Sequence, residues 1–258
     1  MNRESLRKHF ESLGARVKFR PNDRGRRWRP APPSTPFTID VREDRRGEYF
    51  DIAQGEDAPE FELLQVKPRE RHLLLYTTDG QRFLCGHDER HWYVAAIEKR
   101  VSTIRAAKQA LLPAEIWDQV RHLPPDEVDN RRNAVFKRQG EWFFVPSPRQ
   151  VPEAMILRDE PLQRTPQSKP HICQELYRQG GELVYIVGNE EYTATEYEER
   201  SQKDPSFGKR VRRTMVRNPT VYARGYVRHE DHATIKLEGW HRVFINAEFT
   251  TSSVSFLD

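Results

Sequence analysis

Hydrophobic positions along this chain recur with two different spacings. Leu6, Phe10 and Leu13 stand three to four residues apart, the interval of one helix face, and predict a short amphipathic helix over 2–13. From Phe37 onward the period drops to two, or the apolar run becomes continuous. The segments 37–41, 48–52, 61–66, 72–76, 81–85 and 92–97 each read as a strand. Asp79-Gly80 between two of them is a hairpin signal, because tight hairpin turns need residues that accept positive φ. Ser102 reads as the N-cap of a helix over about 103–111, and Pro113 as the first-turn residue of another over about 113–122. A polar, proline-led stretch at 124–132 follows as a connection.

The second half returns to strands. Segments 134–138 and 141–145 flank Gln139-Gly140 as a hairpin, and 183–187 follows Gly180-Gly181. Residues 193–203 read as a helix stopped by Asp204-Pro205. Segments 221–228, 233–237 and 242–249 close the chain as strands, with Tyr222, Arg224, Tyr226 and Arg228 alternating as on a half-buried strand. The expected fold class is α+β, mainly antiparallel β, with two β-rich halves joined by a short helical segment at about 102–122. The expected division is a basic arm and proline linker at 1–36, an N-terminal β-rich domain at 37–123 and a C-terminal one at 134–258.

Composition changes this picture in two places. No apolar run approaches the ~20 residues of a membrane-spanning helix, and the charged start carries no secretory h-region. With two cysteines in 258 residues a disulfide scaffold is excluded, and the expectation is a cytoplasmic protein with reduced thiols and no membrane partner. Charge is uneven. Residues 1–30 hold ten Lys or Arg against three acids, a net +7, so with +4 overall the other 228 residues carry −3. Arg20, Arg24, Arg26, Arg27 and Arg29 surround Trp28, and arginine forks phosphates while an aromatic stacks on bases. The arm therefore reads either as a contact for RNA or DNA, or as a solvated basic terminus packed on the acidic body. A second cluster, Lys209, Arg210, Arg212, Arg213 and Arg217, follows the acidic stretch 190–199 and reads as a further nucleic-acid contact or as its ion-pair partner.

The nine histidines and two cysteines are clustered. His171-Ile-Cys173 places two metal-ligand types two apart, on one face of an extended chain. His229-Glu-Asp-His232 sits at a turn between strands, with His241 on the next one. Imidazole and thiolate suit zinc or another divalent ion, so His171, Cys173, His229 and His232 are the candidate ligands, with Glu230 or Asp231 as a candidate base. The plainer reading is hydrogen-bonding histidines that shape the turn. Cys85-Gly-His87-Asp-Glu-Arg-His91 resembles a metalloprotease motif only loosely, with the Glu displaced and a turn where a helix is needed. It reads as structural: Phe83 and Cys85 point inward, and Asp88, Glu89 and Arg90 form a solvated, charge-paired loop. A Cys–His nucleophile at Cys85 or Cys173 is the outsider. No Gly-x-Ser-x-Gly elbow, phosphate loop or dinucleotide fingerprint occurs.

Arg138-Gln139-Gly140-Glu141 with an apolar strand to Pro146, then Pro170-His171-Ile172-Cys173, then His229-Glu230-Asp231-His232 with 235–237 and His241-Arg242-Val243 form an ordered set. It resembles a family of uncharacterised small bacterial and phage proteins reading Arg-Gln-Gly-Asp, Gly-His-x-His and His-x-x-His. The likeness spans about 134–249, with Glu141 for Asp, Pro170 for Gly and Cys173 for the second His, and 176–220 is longer here. The first half, around 83–92, is similar to the N-terminal part of larger uncharacterised bacterial proteins. The resemblance implies architecture and candidate ligands, and no activity. Two functions are expected from these features: a nucleic-acid-associated protein with a His/Cys metal site, in its enzymatic form a metal-dependent phosphodiesterase, or a non-catalytic protein-interaction or assembly module with at most a structural zinc.

Overall fold

The structure, a computed structural model, describes residues 1–22, 36–164, 168–188 and 190–248. Helix α1 (Arg3–Ser12) begins at Asn2, whose side chain accepts from Ser5 N, and buries Leu6 and Phe10. Phe10 lies 4.6 Å (centroids) from Phe50, which fixes the helix on a three-stranded sheet. In that sheet β1 (Val17–Pro21) pairs parallel with β3 (Gly47–Gln54), and β2 (Phe37–Asp44) pairs antiparallel on its other side. Strands β4 (Phe61–Lys67), β5 (His72–Thr77), β6 (Arg82–Asp88) and β7 (His91–Ala96) form an antiparallel meander. Leu73, Leu75, Phe83 and Cys85 share a core with Phe37, Ile39 and Phe50, while Leu74 and Leu84 face the other way. There they meet Ile104 and Ala107 of α2 (Ile104–Ala110). Both faces of this sheet are covered, which is why its strands read as unbroken apolar runs.

Helices α3 (Ala114–Val120) and α4 (Pro125–Asp129) pack Ile116, Val120 and Val128 against Phe136 and Phe143. Phe143 lies in β9 (Trp142–Pro146), which follows β8 (Lys137–Gln139). The chain continues through β10 (Leu157–Leu162) and β11 (His171–Gln179). It then makes an excursion through β12 (Glu182–Val187), β13 (Glu190–Thr193), α5 (Ala194–Lys203) and β14 (Val211–Arg217). It returns as β15 (Thr220–Arg228) and β16 (Ile235–Ile245). The larger sheet has the order β10-β11-β15-β16-β9-β8, and the excursion makes its own sheet, β13-β12-β14. Trp142, Phe144, Cys173, Leu176, Ala223, Val227 and Leu237 form the core of the six-stranded sheet. Among the described residues no helix is long and apolar enough to cross a membrane.

The molecule is thus mostly antiparallel β, with several departures from the sequence reading. The arm predicted at 1–36 is not separate: α1 and β1 are core elements, and Leu13, Ala15 and Val17 are buried with Phe50. The α2 cap is Thr103, not Ser102, since its hydroxyl accepts from Ala106 N. The connection at 124–132 holds α4, nucleated by Pro125 in its first turn and anchored by Val128. Strand β16 replaces two predicted strands, because residues 238–240 bulge out of the ladder with β15 and the strand resumes at His241. Strands β10 and β14 have no apolar alternation to announce them, and β1 has only Val17 and Phe19 alternating with basic residues. The alternation at 222–228 is broken: Ala223 and Val227 enter the core while Tyr226 and Arg228 are exposed. A bulge between Ala223 and Gly225, with Gly225 at φ +83°, shifts the facing of the strand.

Candidate functional site

Three segments of the six-stranded sheet converge, although the β8–β9 turn lies beside the C-terminal end of β16 and the β15–β16 turn beside its start. Gly140 and Glu141 turn β8 into β9, His171 opens β11, and His229 and His232 lie between β15 and β16. Pairing of Ile172 with Arg228 sets His171 beside His229. His171, His229 and His232 each offer a ring nitrogen, and these nitrogens lie within 4.8 Å of one another. Ring centroids stand 4.1 Å apart for His171–His229, 4.7 Å for His229–His232 and 5.6 Å for His171–His232. A metal–nitrogen bond of ~2.0–2.1 Å puts each centroid about 3.2 Å from the ion, hence about 5 Å from its tetrahedral neighbours. The observed spacings bracket that distance, but the rings lie at 22–31° to one another, so they must turn before all three nitrogens face one ion.

The hydrogen bonds set two of the three rings for coordination. Gln139 Nε2 donates to Val227 O (3.2 Å) and Ala233 O (2.7 Å), which leaves its Oε1 to accept from His171 Nδ1 at 3.0 Å. His171 then presents the lone pair of Nε2. His232 Nδ1 donates to a carboxylate, Glu89 Oε2, at 3.2 Å, so its Nε2 is also the bare nitrogen. His229 differs, because Asp231 N donates to its Nδ1 at 3.1 Å. Coordination through either His229 nitrogen therefore requires that contact to be exchanged. Gly140 makes room for the group: a Cβ there would stand 2.8 Å from His232 Nε2 and 3.2 Å from His171 Cε1, and the residue has φ +57°. Glu141 is buried, and its Oε2 lies 3.7 Å from His171 Nε2 with no hydrogen-bond donor among the described residues.

The β6–β7 turn is exposed at Glu89 and Arg90 and charge-paired, as read from the sequence, and it also docks on this site. Asp88 takes Arg138 at 2.8 Å and also Arg131, while Glu89 pairs with Arg131 and accepts from His232 and from Ala233 N. Glu89 adopts φ +48°, which turns its carboxylate toward the histidines. His91 Nδ1 meets Glu48 at 2.6 Å, and its Nε2 lies 3.7 Å from Asp231. Gln139, Gly140, Glu141 and Glu89 carried no metal-like spacing in the sequence. The resemblance motif singled out Gln139, Gly140 and Glu141, and Glu89 stood only as the displaced Glu of the loose metalloprotease likeness.

Cys173 is not part of the cluster. It faces the same side of β11 as His171 but one pleat deeper, in the core with Leu176 and Val227, where burial pushes its thiol up to about 12. Cys85 is likewise in the core, and burial raises its thiol too. Glu230 is largely exposed beside Lys169 at 3.4 Å, and Asp231 is held by the same lysine at 2.7 Å. Burial pushes the Asp231 carboxyl up, but the Lys169 hydrogen bond and charge outweigh it and leave it below its ordinary value. Of the basic residues, Arg20 is paired with Asp51 at 2.8 Å and Arg210 with Asp204 at 2.8 Å, while Arg213 is exposed on β14. Arg24, Arg26, Arg27, Trp28 and Arg29 lie outside the described residues, as does the Arg212 side chain.

His229 and His232, but not the buried His171, line a cleft of about 1190 Å³ whose lining also includes Tyr93 and Val94 of β7. Its described lining carries eight Asp or Glu and seven Lys or Arg, so it is charge-balanced and unlike a groove for a polyanion. No family model, curated protein or solved structure matches the chain, so the reading of this site rests on its geometry.

Proposed function

We propose that this protein is a divalent-metal-dependent hydrolase of the phosphodiesterase type, with its centre at His171, His229 and His232. The reading is carried by the convergence of those three ring nitrogens beside a deep cleft. Among the described residues the group supplies nitrogen donors only, which suits zinc and its first-row neighbours, and leaves a coordination position open. An open position favours catalysis over the closed shell of a structural zinc. A divalent ion held by His171, His229 and His232 would supply Lewis acidity and make water a stronger acid at this site. Glu141, whose Oε2 lies 3.7 Å from His171 Nε2, takes the role of the base, and Asp231 stays engaged by Lys169. Gln139 and Glu89 hold the imidazoles in their coordinating tautomers.

The same proposal places two β-rich halves, about 37–123 and 134–258, on either side of the cleft, with the 102–122 helices joining them. Nucleic-acid association falls to Arg24, Arg26, Arg27, Arg29 and Trp28, because the cleft offers no net positive charge. The test is metal analysis of the purified protein, followed by hydrolysis of bis(p-nitrophenyl) phosphate with added zinc, cobalt or manganese. One equivalent of bound metal and metal-dependent turnover, both absent in His171→Ala, are expected. Metal-free protein that neither binds these ions nor hydrolyses the ester refutes the reading.

A further inference from the structure

We infer that Glu89, from the remote β6–β7 turn, is a positioning residue for the histidine centre, so that this turn is a working part of the site. The inference rests on the metal reading above and deepens it. Glu89 lies 143 residues from His232 in sequence, yet its Oε2 is the acceptor at His232 Nδ1, 3.2 Å away. A carboxylate only accepts, so it fixes the proton on Nδ1 and leaves Nε2 for the ion; its charge also raises the basicity of that nitrogen. The same oxygen accepts from Ala233 N at 3.3 Å, which ties down the backbone just after the ligand. Arg131 pairs with Glu89 from the other side and holds the carboxylate in place.

Backbone conformation supports a directed role. Glu89 has φ +48°, a region that L side chains rarely adopt outside Asn, Asp and Gly. A turn built only to link β6 and β7 has glycine as its natural residue there. Here the chain bears a carboxylate in that conformation, aimed at a ligand of another sheet. Asp88 makes the corresponding control. It shares the turn, pairs with Arg131 and Arg138, and faces His91 only across the hairpin, so among the described residues its carboxylate forms no ion pair with a histidine.

The experiment titrates zinc into metal-free protein and follows imidazole nitrogen resonances before the metal is added. Against wild type, Glu89→Ala is expected to bind zinc about 10–100-fold more weakly, Glu89→Gln to recover part of that loss as a neutral acceptor, and Asp88→Asn to stay within about threefold. Without metal, the His232 proton is expected on Nδ1 in wild type and redistributed toward Nε2 in Glu89→Ala. Far-ultraviolet circular dichroism verifies that each variant is folded. Equal zinc affinity in wild type and folded Glu89→Ala overturns the inference and leaves the metal reading standing. The same follows if Asp88→Asn matches the loss of Glu89→Ala, since that reports docking of the turn and nothing specific to His232. If Glu89→Ala does not fold, an unaltered His232 tautomer in Glu89→Gln with undiminished affinity for zinc overturns it. Absence of zinc binding in wild type overturns both.

Discussion

Gly140→Ala probes the site at its tightest point. Gly140 has φ +57°, where a Cβ costs roughly 1–2 kcal/mol for an L residue. The added methyl would also stand 2.8 Å from His232 Nε2, whereas ordinary contact begins at 3.4 Å, so ring and turn must separate by about 0.6 Å. Overpacking of this kind adds about 1–3 kcal/mol. Gly180 provides the matched control, with φ +65° and nothing within 4 Å of a Cβ. Urea unfolding should therefore show Gly180→Ala destabilised by about 1–2 kcal/mol and Gly140→Ala by about 2–5 kcal/mol. Metal–ligand distances tolerate only about ±0.2 Å, so zinc affinity should fall at least about tenfold in Gly140→Ala and remain unchanged in Gly180→Ala. If the two alanine variants lose the same stability, and Gly140→Ala binds zinc like wild type, the close approach described here is refuted.

Three other outcomes are expected. Burial lowers His72 to about 4 from an ordinary 6.5, with Lys108 adding repulsion, while Glu70 O accepts from Nδ1 and the Tyr93 hydroxyl lies 3.0 Å from Nε2. Because the folded pKa is the lower one, this contribution is complete above pH 6.5 and is lost as pH falls toward 4, amounting to about 3 kcal/mol at the acid end. Urea unfolding across that window should be less steeply pH-dependent in His72→Gln, and an unchanged slope would contradict the buried neutral ring. A thiol reagent should label neither Cys85 nor Cys173 in the folded protein at neutral pH and both on unfolding; rapid labelling of either would rule out its core position. Replacing Arg24, Arg26, Arg27 and Arg29 by Gln should preserve the fold and cut the log–log salt slope of duplex binding by up to about 0.9 per lost phosphate contact, and an unaltered slope ends the nucleic-acid assignment.

What the sequence conveyed depended on how each element announces itself. The meander β4–β7 and helix α1 were legible because their apolar residues keep a regular period and the core lies directly beneath them. Strands β1, β10 and β14 were not, since Lys18-Phe19-Arg20 and Arg212-Arg213-Thr214 look like charged surface. Pairing with β3 and β12 makes them strands, and no local pattern encodes a partner. Of the site, His171, His229 and His232 were visible as ligand types at short spacings. Cys173 looked equivalent to His171 because period-two spacing conveys facing and not depth: one residue stands at the sheet rim and the other beneath it. Glu89, Gln139 and Glu141 were illegible as site residues because their roles come from long-range contacts.

The excursion between β11 and β15 makes the sheet a measuring device. Gln179 pairs with Thr220, and Glu182 pairs with Arg217 just beyond it, so β11–β12 and β14–β15 run as one kinked ribbon. His171 and His229 sit at the foot of this ribbon, and β13 and α5 sit at its tip. Lengthening the tip leaves the ladder in phase, and each doubling of a loop costs only about 0.6 kcal/mol in closure entropy. A single residue gained or lost within β11 or β15 would instead reverse the facing of everything beyond it and carry one histidine to the opposite surface. Variation in chain length is therefore cheap at one end of the ribbon and forbidden along its rails, which lets the outer module diverge while the distance between the imidazoles stays set.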